Sequence, residues 1–119
     1  MREGIGRVTV SAEGNVTVVE LTDKKILDEM NIAQIGEQIN SLVVASDDPR
    51  LVLDFSSVGQ MSSSALGMLI RLHKRIREKN GQLRLCGIQP AIFEVFVITR
   101  LNEVFQICRS RQEALASLA

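Results

Sequence analysis

Residues 51–67, LVLDFSSVGQMSSSALG, decide how the rest of the chain is read. Leu51, Val52, Leu53 and Phe55 form an apolar run interrupted only by Asp54, the pattern of a strand covered on both faces. A short Ser/Gly turn leads from it into three consecutive serines, Ser62, Ser63 and Ser64, which open an amphipathic helix. The first N–H groups of a helix have no partners within it, so hydroxyls delivered there make a junction that tolerates anions. One serine serves as the helix cap. Three exceed what a cap requires.

Working outward, the helix after the serines carries Leu66, Leu69, Ile70, His73 and Ile76 as its apolar stripe. Arg71, Lys74, Arg75, Arg77 and Lys79 fill its C-terminal half, where cations suit the helix dipole, and Asn80 and Gly81 supply a C-cap. Residues 82–87, QLRLCG, read as the next strand, and Pro90 opens a third helix that buries Ile92, Phe93, Phe96 and Val97. Residues 104–108 make a last short strand. Ser110 and Glu113 then form a capping box for a terminal helix with Ala114, Leu115 and Leu118 turned inward.

Upstream, residues 5–22 read as a hairpin turning at Glu13, Gly14 and Asn15. Its first strand alternates Val8 and Val10 with Arg7 and Thr9, as an edge strand with one wet face would. Asp23, Lys24 and Lys25 break the second strand, and Ile26, Leu27 and Asp28 follow as a loop. Ile32, Ile35, Ile39, Leu42 and Val43 place a helix over residues 30–45, capped by either Asp28 or Asn31. The order is β-β-α-β-α-β-α-β-α. It predicts one α/β domain over residues 1–119, with a mixed, mostly parallel sheet, an N-terminal hairpin and about four helices.

Composition narrows the function. The 119 residues can bury a real core. Fourteen basic and fourteen acidic residues give a formal net charge of +0, which removes a whole-chain electrostatic case for nucleic acid or anionic lipid. Four phenylalanines are the only large aromatics, so no platform for stacking bases exists. Cys86 and Cys108 show no metal or redox spacing and read as structural thiols. No run reaches transmembrane length and the N-terminus lacks the apolar core of a signal peptide, so the expected location is the cytoplasm, without membrane insertion.

Catalysis finds little support. The single histidine, His73, lies ten positions from Ser63 on one helix, roughly 15 Å along its axis. A general base must reach hydrogen-bonding distance of its nucleophile, so no Ser–His pair forms within this chain. There is no G-x-S-x-G elbow, P-loop or G-x-G-x-x-G turn. Asp54 ends a strand as the phosphorylated aspartate of a receiver domain does, but the acidic neighbours that would hold a divalent cation are missing from the loops. The expectation is a non-enzymatic protein with no cofactor and no metal.

At these residues the sequence resembles the STAS domain of bacterial anti-sigma factor antagonists. The resemblance rests on LVLDFSSVGQMSSSALGMLIRLHKRI (51–76), on NGQLRLCGIQPAIFEVFVITRLNEVFQI (80–107) and on the step from Ile26 to Asp28. In that family the acceptor serine follows an aspartate in M-D-S-[ST]-G-L-G. Laid on Met61 to Gly67, the motif places Ser63 at the acceptor position, with Ser62 and Ser64 as alternatives, and Asp28 on the acidic residue of the adjoining loop. Two positions differ: Ser62 stands for the family aspartate and Ala65 for the glycine. The resemblance implies a signalling phosphoprotein that regulates transcription by docking an anti-sigma factor with a histidine-kinase-like ATPase fold, itself the serine kinase. Capture of that partner frees a sigma factor, and a serine phosphatase resets the cycle. The implied docking face comprises Asp28, Gly59, Gln60, Ser62, Ser63 and Ser64. The alternative is a STAS scaffold or a subunit of a signalling or transporter-associated complex, never phosphorylated.

Overall fold

The computed structural model describes residues 2–5 and 8–118, with side chains from Val8 onward. In chain order the strands are β1 (Arg2–Ile5), β2 (Val8–Glu13), β3 (Val16–Leu21), β4 (Lys25–Ile26), β5 (Arg50–Asp54), β6 (Gln60–Met61), β7 (Gln82–Cys86) and β8 (Ile107–Cys108). The helices are α1 (Glu29–Val44), α2 (Ser63–Glu78), α3 (Pro90–Ile98) and α4 (Arg111–Leu118). Six strands form one sheet in the order β1-β2-β3-β5-β7-β8, and β4 and β6 pair separately. Antiparallel pairing joins β1 to β2 and β2 to β3; every later pairing is parallel, as strand–helix–strand crossovers require. The expected mixed, mostly parallel α/β architecture is the one observed.

Residue alternation in the strands sorts the core into two layers. Val19, Leu21, Leu51, Leu53, Leu83 and Leu85 face the large cluster beneath α1, α2 and α3. Val16, Val18, Val52 and Cys86 face the opposite way, onto Ala114 and Leu118 of α4. The continuous apolar run of β5 is thereby explained, since its alternate residues belong to different layers.

The turn between β2 and β3 has two central residues, with Gly14 in the left-handed region at φ +64. Asp28, not Asn31, caps α1, accepting the N–H groups of Met30 (2.8 Å) and Asn31 (3.3 Å). Helix α2 ends in a Schellman motif: Asn80 is left-handed (φ 57), its N–H bonds Arg77 O at 2.9 Å, and Gly81 N–H bonds Ile76 O at 2.8 Å.

Several expectations need correction. The first hairpin strand, β2, is interior, because β1 pairs along its outer side; the pairing of backbones fixes an edge, and side-chain alternation does not report it. Arg7, part of that expected alternation, lies outside the described residues. Lys25, the end of the expected break, and Ile26, the start of the expected loop, form a short strand. Met68 and Leu72 share the buried stripe of α2, while Ile70 and His73 are half-buried at its margin. The last strand spans only Ile107 and Cys108, because the N–H groups of Val104 and Phe105 bond Leu101 O and continue the turn that begins as a 3-10 helix at Leu101–Glu103. Helix α3 buries Ile92 and Phe96 but leaves Phe93 and Val97 exposed: Glu94 is its only charged residue, and it packs along one side only.

Candidate functional site

Strands β3, β5 and β7 are parallel, so the loops that follow them meet at one end of the sheet, where open α/β folds place their sites. The β4–β6 pair stitches two of those loops together, with Lys25 opposite Gln60 and Ile26 opposite Met61. Lys24 O accepts the N–H groups of Gly59 (2.8 Å) and Gln60 (3.1 Å), and Ile26 O accepts that of Ser62 (3.0 Å). The starts of α1 and α2 are thus held side by side. All six residues of the expected docking face, Asp28, Gly59, Gln60, Ser62, Ser63 and Ser64, lie on this one end. Exposed Leu27 and Met30 add apolar surface beside them, Met30 being 71% accessible.

The three serines divide into three environments. Ser62 is the N-cap, extended at φ -86 and ψ 168, and its Oγ accepts the Ala65 N–H at 3.3 Å. Ser64 Oγ donates to Glu29 Oε1 at 3.0 Å, tying the first turn of α2 to that of α1. Ser63, the first helical residue, is exposed, and no described group hydrogen-bonds its hydroxyl. Asp28, also exposed, has its carboxylate committed to the start of α1. It contributes negative charge to the surface without contacting the serines through any described bond.

Behind this surface lies a polar network that sequence reading missed. Asp54, 6% accessible, ends β5. Its Oδ1 accepts the Ser56 N–H (2.9 Å) and the Ser56 hydroxyl, and its Oδ2 accepts Arg111 Nε (3.0 Å) and Nη2 (2.8 Å) from α4. Arg111 Nη2 also lies 3.4 Å from Glu20 Oε1 of β3. Burial pushes the Asp54 carboxyl upward, but the two Ser56 bonds and the Arg111 guanidinium outweigh it and hold the group below the usual carboxylate range. Gly87 makes room for this arrangement. At φ +68 it adopts a conformation that favours glycine, and a Cβ there would stand 2.8 Å from Asp54 Oδ1 and against the Ser56 hydroxyl. Arg111 had a local role as part of a capping-box sequence, and Ser110 Oγ does accept the Glu113 N–H (3.1 Å). Nothing local announces that residue 111 meets residue 54.

The remaining candidates for chemistry are structural in placement. His73 packs edge-on against Phe105, with ring centroids 5.2 Å apart, and burial followed by the charge of Arg77 lowers its pKa. Unbroken α2 separates it from Ser63. The Cys86 thiol is pushed up to about 12, by burial first and then by the Asp54 charge; Cys108 lies opposite it across β7 and β8. Among the described residues, no three His, Cys, Asp or Glu side chains are grouped to hold a metal ion. No described helix is long and apolar enough to cross a membrane.

The model of the STAS domain family matches residues 7–114. The chain belongs to the STAS family. Its relatives include the Bordetella bronchiseptica protein BtrV, provisionally named an anti-sigma factor antagonist, which is 32% identical over 85 residues, covering 69% of this chain and 73% of BtrV. The anti-sigma-B factor antagonist of Listeria monocytogenes is 27% identical over 86 residues, covering 72% of this chain and 67% of its own. Among solved structures, a STAS protein described as an anti-sigma factor antagonist from Planctomyces limnophilus superposes with a TM-score of 0.83 at 29% identity, covering 94% of this chain and 97% of the other.

Proposed function

We propose that this STAS protein is an anti-sigma factor antagonist that acts by binding and is switched by phosphorylation of Ser63. Its partner is an anti-sigma factor with a histidine-kinase-like ATPase fold. That partner transfers the γ-phosphoryl group of ATP to Ser63 Oγ, releasing ADP and the hydroxyl proton. Unphosphorylated, the surface formed by Asp28, Gly59, Gln60 and the serines captures the partner and frees a sigma factor. Phosphorylation places about −1.5 to −2 charges on that surface and weakens capture, and a serine phosphatase restores it.

The observation that carries this reading is the division of labour among the serines. Ser62 is used as a cap and Ser64 is bound to Glu29, which leaves Ser63 as the hydroxyl free for transfer. A phosphate on Ser64 would meet the Glu29 carboxylate at once. A phosphate on Ser62 would displace the bond that starts α2. Position 62 itself carries serine where the family motif has aspartate.

The test is incubation with ATP and a purified anti-sigma kinase of this fold, with the modified residue mapped by mass spectrometry. One phosphate on Ser63 is expected, absent in Ser63→Ala, with partner affinity falling on the order of tenfold or more on phosphorylation. Unchanged phosphate yield and affinity in Ser63→Ala would sink the assignment. The same serine at position 62 favours the second reading, a STAS scaffold that is never phosphorylated. For that reading, pull-down recovers a signalling or membrane-transport complex in place of an ATPase.

A further inference from the structure

Alongside the serine turn, α1 and α2 enclose a groove of about 540 Å³. Its α1 wall carries Glu29 and Glu37; its α2 wall is the file Ser64, Gly67, Arg71 and Arg75, spaced at three and four residues and so stacked along one helix face. Both arginines are exposed, and neither lies within ion-pairing distance of a described carboxylate. Arg71 is directed toward the beginning of the helix, as long helical side chains are. Its Nη1 stands 3.6 Å from where a Cβ on Gly67 would be, and Gly67 is one turn from Ser63. The absent side chain at position 67 leaves the path between Arg71 and the first turn open.

We infer that Arg71 is an intramolecular receptor for the phosphate on Ser63. This rests on the reading of Ser63 as the acceptor, and it adds how the modified state is held. Cβ atoms four apart on a helix lie about 5–6 Å from one another, so a guanidinium already beside Gly67 has only a side-chain adjustment to make before meeting a phosphoryl oxygen on Ser63. The bond formed is charge-assisted, and the phosphate also takes favourable orientation from the unpartnered N–H groups at the start of α2. Opposing it is Glu29, held at the groove mouth by Ser64, together with Asp28 at the cap of α1; Lys24, just before β4, and Lys25, its first residue, supply further cations on this end. Arg71 offsets the repulsion from Glu29 and turns the phosphate toward the groove. Arg75, one turn farther along, lies beyond reach of Ser63 and makes the natural control.

The test installs phosphoserine at position 63 during translation, with no kinase involved, so that a failed clamp is distinguishable from a failed kinase assignment. The phosphate is then titrated by ³¹P NMR, starting from an ordinary second pKa of about 6. The expected midpoint in the parent chain is lower than in Arg71→Ala by about half a pH unit. The difference shrinks in high salt, and Arg71→Lys restores part of it. Arg75→Ala leaves the midpoint where it is in the parent chain. The unphosphorylated Arg71→Ala chain unfolds at the parent temperature, because Arg71 has no described partner to lose. Equal midpoints in the parent and Arg71→Ala, or a change that follows Arg75→Ala instead, overturn the proposal.

Discussion

Two polar clusters stand at the ends of the same parallel strands, and they are built on opposite principles. Around Asp54, each carboxylate oxygen is occupied: Ser56 bonds one and Arg111 the other, under cover that leaves Asp54 only 6% accessible. Around Ser63, the neighbours are occupied and the central hydroxyl is left exposed. A polar group whose partners are all internal stabilises the fold, because burial strengthens its bonds and makes their loss costly. A polar group left without partners at an exposed helix start costs the fold little, and it is available to another molecule. The inner cluster also supports the outer one: Ser56 begins the segment leading to Gly59 and Gln60, and its carbonyl oxygen accepts Gln89 Nε2 at 3.3 Å. Internal partners are concentrated in one cluster, and an open hydroxyl marks the other.

The contrast can be broken most severely at Arg111. Replacing it with alanine leaves Asp54 buried without its cation and is expected to cost about 2–3 kcal/mol in urea unfolding, toward the low side for buried pairs because the Arg111 side chain is 35% accessible. A smaller effect is expected from acid. Asp54 has a folded-state pKa depressed below its unfolded value of about 3.9, so its contribution is present above that value and is lost as pH falls through the folded pKa. Urea midpoints followed downward from neutral pH should therefore fall less steeply below about pH 4 in Asp54→Asn than in the parent. Equal acid slopes would show that the Ser56 and Arg111 bonds do not favour the charged carboxylate. Within the serine turn, Ser62→Ala is expected to cost about 1 kcal/mol through loss of the N-cap. The neighbouring Ser63→Ala should stay within about 0.5 kcal/mol of the parent. If Ser63→Ala proved as destabilising as Ser62→Ala, the hydroxyl would have an internal role and the contrast would collapse.

What could be read in advance follows the range of the interactions concerned. Strand β5, the stripe of α1, the caps near Asn80 and Gly81 and the helix start among the serines all depend on residues within a few positions of one another, and all are present. The proposed docking residues come from the resemblance of residues 51–76 and of the Ile26–Asp28 step to the STAS motif, and the structure gathers them at one end. The choice between Asp28 and Asn31 as cap was not legible, because both are good capping residues and only the chain's path into α1 decides. Phe93 and Val97 look as apolar as Ile92 and Phe96, and only the position of α3 against the sheet separates them.

The sequence by itself determined a mixed α/β domain with a hydroxyl-rich turn at the start of its amphipathic second helix. Periodicity and capping are written in short windows, and that is enough to place such a turn. Only the tertiary structure decided which serine is free. That depended on Glu29, 35 residues from Ser64, arriving at the same helix start through the β4–β6 pairing. The same holds for Asp54 and Arg111, 57 residues apart, since hydrogen bonds between distant segments leave no periodic trace in either one.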